Sequence, residues 1–130
     1  MGEGLRVTEP RVLMVDDEKK VADAYALRLK DVAEVTVAYG GSEALDTVEA
    51  DDPPDVVLLD RHMPGLSGDE VLETVREEGY DCRVAMITSV DPDTDIVEME
   101  FDAYVVKPVR RQDLREFVES LLLRARCSRD

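Results

Sequence analysis

Short apolar runs alternate with amphipathic stretches along the chain, and this pattern predicts five strands and five helices. The runs are apolar at consecutive positions, which is typical of strands buried on both faces of a parallel sheet. The predicted strands cover residues 11–15, 32–37, 56–59, 82–87 and 103–106. Strands that alternate with helices indicate an α/β domain with helices on both faces of the sheet. Right-handed crossovers leave few strand orders, but periodicity alone does not select one.

Local signals mark where two of the helices begin or end. Ser42 is a candidate N-cap for the second helix. Ser67 and Glu70 form the pattern of a capping box at the start of the third helix. Gly79 suits the position just after that helix, where a left-handed backbone conformation is common.

The sequence indicates the last two predicted helices with very different clarity. The fourth is weakly indicated, because few apolar residues precede Phe101. The fifth runs from about Arg110 to Leu123 and is the clearest amphipathic helix of the chain. Its apolar stripe consists of Leu114, Phe117, Val118, Leu121 and Leu122.

Polar side chains follow four of the predicted strands. Asp16 and Asp17 follow the first strand, Asp60 the third, Thr88 the fourth and Lys107 the fifth. The carboxyl ends of parallel strands meet at one edge of a sheet, where open α/β folds place their sites. The sequence therefore predicts one site that combines acids, a hydroxyl and an amine.

These elements, in this order, resemble the signature of receiver domains of two-component response regulators. The signature comprises the acidic pair, Asp60 with the Met63-Pro64-Gly65 turn, Thr88 and the Lys107-Pro108 pair. The resemblance covers residues 10–124; residues 1–9 are predicted to be a disordered leader and 125–130 a tail or the start of a linker. It implies a flavodoxin-like (βα)5 three-layer sandwich with a five-stranded parallel sheet in the order 2-1-3-4-5.

The acids are candidate metal ligands. Carboxylates about 4 Å apart repel by roughly 4 kcal/mol per pair at an effective dielectric near 20, and a hard cation such as Mg²⁺ or Mn²⁺ relieves this. The resemblance implies that Asp17 and Asp60 bind Mg²⁺ directly, Asp16 mainly through water, and His62 through its backbone carbonyl. For the acidic pair alone, the alternative is a pair of capping residues at the start of the first helix.

The resemblance also assigns the chemistry. Asp60 would accept a phosphoryl group as an acyl phosphate, and Lys107, before a cis proline, would neutralise charge together with the metal. Thr88 would bind the new phosphoryl oxygens, and Tyr104 would turn into the space that Thr88 vacates. Taken alone, Lys107 could be a solvated surface charge, Thr88 a β-branched strand residue and Tyr104 a half-buried core aromatic. The His62 side chain either tunes dephosphorylation or is an exposed loop residue.

The implied function is a phosphorylation-dependent signalling switch. A sensor histidine kinase would phosphorylate Asp60, and the face of helix 4, strand 5 and helix 5 would transmit the signal to a C-terminal, transcription-regulatory output domain. The domain would not be an enzyme, apart from promoting its own phosphorylation from small donors and its own dephosphorylation. Arginines of the fifth helix and Asp102 with the acids of helix 4 could form a phosphorylation-dependent homodimer, or the helix could simply have a solvated basic face.

The segment between Thr88 and Lys107 is shorter than the corresponding segment usually is in this family. The fourth helix, or the loop before it, must therefore be shortened. This form is similar to receivers of salt-loving archaea that precede a HalX-type domain. Of the features that the resemblance implies, the face of helix 4, strand 5 and helix 5 that would transmit the signal therefore has the least support in this sequence.

Composition narrows the classes of function. The chain has 130 residues with 31 acids and 16 bases, a net charge of −15 that disfavours binding to nucleic acid. No apolar run approaches the ~20 residues of a membrane span, and no signal peptide is evident, so we expect a cytoplasmic protein. The acidic, lysine-poor composition suits a salty cell interior, or an ordinary acidic signalling domain. Cys82 and Cys127 are expected to be free thiols.

Two other classes of protein remain open from the sequence. An aspartyl-phosphate hydrolase also uses an Asp at a strand end, but it usually has a second Asp where this chain has His62, and a cap domain for which the chain has no room. A phosphorylation-independent dimerisation module would be expected to lose an acid, Thr88 or Lys107. This chain keeps all of them.

Overall fold

The structure is a computed structural model that describes residues 10–50, 53–94 and 96–128, with side chains described up to Arg124. Five parallel strands form one sheet in the order β2-β1-β3-β4-β5. This confirms the predicted α/β fold and strand order. The strands are β1 (Arg11–Val15), β2 (Glu34–Ala38), β3 (Val56–Leu59), β4 (Arg83–Thr88) and β5 (Ala103–Val106).

The described part of the chain has four α-helices and one short 3₁₀ turn. They are α1 (Lys19–Leu29), α2 (Gly41–Val48), α3 (Gly68–Glu77), the 3₁₀ turn (Ile96–Glu98) and α4 (Arg111–Ser128). The predicted fourth helix is thus wrong, because the described residues between β4 and β5 form only this 3₁₀ turn. The predicted fifth helix is α4, and it continues beyond Leu123 into the predicted tail. The predicted leader lies outside the described residues.

Alternation along the buried strands divides the core into two clusters, one on each face of the sheet. Leu13 and Leu59 belong to the cluster that packs against α2 and α3. Met14 and Leu58 belong to the cluster that packs against α1 and α4. β1 and β3 are central strands that need apolar side chains on both faces, which explains their continuous apolar runs.

The predicted capping box is confirmed, whereas the predicted cap of α2 is wrong. The Glu70 amide donates to Ser67 Oγ at 3.2 Å, and the Ser67 amide donates to Glu70 Oε1 at 2.8 Å. Gly79 follows α3 with a φ of +84°, as its position predicted. In α2, however, Gly40 is the N-cap, and exposed Ser42 lies inside the helix. A Cβ on Gly41 would lie 2.6 Å from the Leu66 carbonyl oxygen, so close backbone packing fixes where α2 begins.

The Asp102 carboxylate fixes the start of β5 by hydrogen bonds to three other residues. Asp102 accepts hydrogen bonds from Arg76 at 3.0 Å, Arg83 at 3.1 Å and the Val84 amide at 2.8 Å. This carboxylate is therefore already engaged within the chain, and the predicted dimer contact between Asp102 and arginines of a second copy stays a prediction. None of the described helices is long and apolar enough to cross a membrane.

Candidate functional site

The strand ends bring the predicted polar residues to one edge of the sheet. Single backbone hydrogen bonds continue the ladder one residue past the strands. The Asp60 amide donates to the Val15 carbonyl at 3.1 Å, and the Lys107 amide donates to the Thr88 carbonyl at 2.8 Å. The Asp16 amide likewise bonds to the end of β2. The backbone alone therefore fixes the relative positions of these residues.

Asp16, Asp17 and Asp60 form one carboxylate cluster, as predicted. One oxygen from each lies within 4.8 Å of the others. Asp16 is fully buried, Asp60 is 8% exposed and Asp17 is half-buried. Three carboxylates so close together and so poorly hydrated repel strongly, which requires compensation by a cation.

Lys107 supplies part of that compensation. Its Nζ donates to Asp16 Oδ2 at 2.5 Å and to Asp60 Oδ2 at 3.4 Å, and it also lies 6.0 Å from the centre of the Tyr25 ring. Burial alone would lower the pKa of Lys107, but the hydrogen bond to Asp16 and the charge of Asp60 outweigh it and raise that pKa. Burial raises the pKa of Asp16, although Lys107 acts in the opposite direction. Lys107 is thus a half-buried ammonium group paired with two carboxylates, not the solvated surface charge of the alternative.

The alternative role of the acidic pair, capping of α1, receives no support. The N-cap of α1 is Glu18, and no side chain makes a capping hydrogen bond there. Asp16 Oδ1 instead accepts a hydrogen bond from the Glu18 amide at 2.9 Å, in a local turn.

The carboxylate cluster fits a hard divalent cation. Its donors are all oxygens, the ligand type that Mg²⁺ prefers. One lysine does not balance three acids, so the cluster still favours positive charge when Lys107 is protonated. His62 lies beside the cluster with its side chain exposed, and its amide is 3.4 Å from Asp60 Oδ1. The predicted ligand role of the His62 carbonyl stays a prediction.

Thr88 has a buried hydroxyl group without a partner. The residue is fully buried, and its Oγ1 makes no hydrogen bond to the described part of the chain. Buried hydroxyls are normally paired, because an unpaired one costs free energy. An unpaired hydroxyl next to a carboxylate-rich strand edge is consistent with the predicted role of binding an additional group.

Tyr104 is half-buried on β5, as the core-aromatic interpretation also allowed. Its hydroxyl donates to the Val90 carbonyl at 2.6 Å. Its ring packs edge-on against Phe101, with 5.8 Å between the ring centres.

The peptide bond between Lys107 and Pro108 is cis, as the resemblance implied. Cys82 is a free thiol, as predicted, and it is buried, whereas the side chain of Cys127 lies outside the described side chains.

Sequence reasoning missed Arg61, which directly follows the predicted phosphoacceptor. This arginine is only 3% exposed, and its guanidinium group makes a forked ion pair with Asp69. The bonds to Asp69 raise the pKa of Arg61, so the group is always charged. The available signal was an arginine between a buried strand and the acidic first turn of α3.

Comparisons with known proteins agree with this geometry. Residues 12–119 match the family model described as the response regulator receiver domain. A Haloferax volcanii protein, provisionally named a transcriptional regulator, is 57% identical over 122 residues; these are 92% of this chain but 20% of that protein's length. The chain therefore spans about a fifth of the curated relative that it matches.

Solved receiver structures match almost the whole chain. A CheY-like receiver domain from Methanospirillum hungatei is 26% identical, with a TM-score of 0.86 over 93% of this chain and 99% of that one. The Thermotoga maritima response regulator TrrA, solved in complex with Mg²⁺-BeF, is 32% identical, with a TM-score of 0.78 over 86% and 98% of the two chains. The chain belongs to the response regulator receiver domain family.

Proposed function

We propose that this domain is a phosphorylation-dependent switch in which Asp60 accepts a phosphoryl group from a sensor histidine kinase. The observation that carries the proposal is the cluster of three carboxylates within 4.8 Å, with the Lys107 ammonium 3.4 Å from Asp60. Phosphoryl transfer depends mainly on positioning and charge neutralisation, and this edge of the sheet supplies both. The Mg²⁺-BeF complex of TrrA supports the same ligand chemistry here.

In the proposed reaction, an Asp60 carboxylate oxygen attacks the phosphorus of a phosphohistidine. An oxygen–phosphorus bond forms, the nitrogen–phosphorus bond breaks, and the histidine leaves with its electron pair. Asp16, Asp17 and Asp60 would hold Mg²⁺ or Mn²⁺, which when bound neutralises charge on the phosphoryl oxygens. Lys107 holds a proton at Nζ and pairs with the same oxygens, and Thr88 donates its free hydroxyl to one of them.

The signal would leave through the face formed by the 3₁₀ turn, β5 and α4. Val97 is 64% exposed and Val106 is 39% exposed on this part of the molecule, which gives it an apolar surface. An output domain or a second copy of the domain would bind there. The Haloferax relative supports a transcription-regulatory output, and a HalX-type domain stays a prediction from the sequence resemblance. A cytoplasmic location and a high-salt cell interior are part of the same proposal.

The test is the intact mass after incubation with acetyl phosphate and Mg²⁺ in high salt. We expect one added phosphoryl group that hydroxylamine removes, as it does from an acyl phosphate but not from a phosphorylated serine or threonine. Asp60→Asn should gain nothing, and Asp81→Asn, which neutralises an exposed acid outside the site, should behave like the unmodified sequence. No addition at any magnesium or salt concentration would contradict the proposal and favour a phosphorylation-independent interaction module.

A further inference from the structure

Arg61 connects the loop after Asp60 with three other parts of the molecule. Its Nε and Nη2 donate to the two Asp69 carboxylate oxygens at 2.9 and 2.8 Å, at the start of α3. Nη2 also lies 3.3 Å from Asp93 Oδ1, and Nη1 lies 3.3 Å from the Tyr104 hydroxyl. We call Arg61, Asp69, Asp93 and Tyr104 the arginine clasp.

The arginine clasp reaches the segment that replaces the fourth helix. Asp93 Oδ1 also accepts a hydrogen bond from the Ile96 amide at 3.1 Å, where the 3₁₀ turn begins. The Tyr104 hydroxyl accepts from Arg61 and donates to the Val90 carbonyl at 2.6 Å. One guanidinium group therefore reaches the connection from β4 to β5 directly at Asp93 and, through the Tyr104 hydroxyl, at Val90.

The geometry is specific to an arginine. A guanidinium group presents several donors in a fixed plane, so it can bind a carboxylate with two bonds and still reach other acceptors. The Arg61 side chain is 3% exposed, and each of its described nitrogen contacts lies within 3.3 Å. A buried charge held this way stays in one place, because releasing any partner leaves it incompletely paired.

We propose that Arg61 is a positioning residue that holds the Tyr104 hydroxyl against Val90 before phosphorylation. The inference rests on the proposed function, since Tyr104 matters only if the domain is a switch. It explains how a receiver with a single 3₁₀ turn keeps its switch aromatic ordered, because the loop after the phosphoacceptor takes over that role. The clasp then limits how far the Tyr104 side chain moves when the domain is phosphorylated.

The position of Tyr104 can be measured directly by fluorine NMR. The chain has four tyrosines, so labelling with 3-fluorotyrosine gives few resonances, and Tyr104→Phe identifies the one from Tyr104. In Arg61→Met without phosphorylation, we expect this resonance to move at least halfway from its folded towards its unfolded position. Arg28→Met is the matched control, since Arg28 lies 5.3 Å from the centre of the Tyr25 ring and should shift Tyr25 alone.

Phosphorylation then separates a positioning role from a general effect on folding. Acetyl phosphate and Mg²⁺ should shift the Tyr104 resonance at least twofold more in Arg61→Met than in the unmodified sequence. If Arg61→Met does not fold, Arg61→Lys is used instead, because it keeps the positive charge but cannot bind both Asp69 oxygens at once. Its Tyr104 resonance should lie between those expected for the unmodified sequence and for Arg61→Met. An unmoved Tyr104 resonance in a folded Arg61 variant would overturn the inference. Absence of added phosphoryl mass in every variant would instead overturn the proposed function. The comparison of the unphosphorylated variants does not depend on phosphorylation, so the two failures can be distinguished.

Discussion

At the scale of single residues, Thr88 has a hydroxyl group that lowers the stability of the fold but is needed for the proposed binding of a phosphoryl oxygen. A fully buried hydroxyl without a partner costs stability relative to a methyl group of similar shape. Such a cost is expected where a side chain is kept for a group that is present only part of the time. Thr88 therefore offers a test in which stability and switching change in different directions.

Thr88→Val should leave the free energy of unfolding unchanged or raise it by up to about 1 kcal/mol, because the unpaired hydroxyl is removed. Asp60 should still accept a phosphoryl group, but backbone amide NMR should show little response of β5 to phosphorylation. Urea denaturation and amide spectra with acetyl phosphate measure the two effects. Thr47→Val is the control, since the Thr47 hydroxyl already donates to the Glu43 carbonyl at 3.1 Å and its removal should not stabilise. A loss of more than 1 kcal/mol in Thr88→Val would contradict the interpretation of Thr88 as unpaired.

At the scale of elements, the start of α3 is packed against the loop of the phosphoacceptor. A Cβ on Gly68 would lie 2.0 Å from the Asp60 carbonyl oxygen and 2.8 Å from Arg61 Cα. The Gly68 amide also donates to the Arg61 carbonyl at 2.8 Å. Backbone cannot yield as the end of a flexible side chain can, so glycine is required for this contact.

Gly68→Ala should lower the free energy of unfolding by roughly 2–4 kcal/mol, because α3 must move away from residues 60 and 61. It should also slow phosphorylation by acetyl phosphate at least tenfold, since the Asp60 backbone shifts with it. Gly40→Ala is the matched control, because nothing lies within 4 Å of its Cβ position, and it should cost at most about 1 kcal/mol as a changed N-cap. Urea denaturation and the time course of mass addition distinguish the two variants. Equal behaviour of both would show that the close approach is unimportant.

The strands could be predicted from the sequence, whereas the connection from β4 to β5 could not. The strands and the polar residues after them were predictable, since continuous apolar runs identify buried strands and parallel topology brings their ends together. The connection from β4 to β5 was not, because its conformation depends on contacts between distant side chains. Arg76 reaches Asp102 and the Glu100 carbonyl, and Arg61 reaches Asp93. Such contacts leave no periodicity in the sequence, and the same reason hid the role of Arg61.

At the scale of the whole molecule, the net charge of −15 opposes folding. One local example lies at the ends of α2 and α3, where Glu49 and Glu78 occupy the two C-cap positions. A hydrogen bond with Glu78, together with its charge, raises the pKa of Glu49. Both acids also lie at the negative ends of helix dipoles, where cations would be favoured. The surface therefore contains repulsion that salt can screen.

Raising KCl from 0.1 to 1 M should increase the free energy of unfolding by on the order of 1–2 kcal/mol, because the screening length falls from about 10 to 3 Å. Glu78→Gln should be more stable than the unmodified sequence at low salt and should gain less from added KCl. Asp113→Asn should show the opposite effect at low salt, since Asp113 lies in the first turn of α4, where the dipole favours an acid. Urea denaturation of the three proteins without divalent cations provides the measurement. A stability that is independent of KCl would show that the acidic surface does not oppose folding, and it would remove the physical basis for adaptation to a salty cell interior.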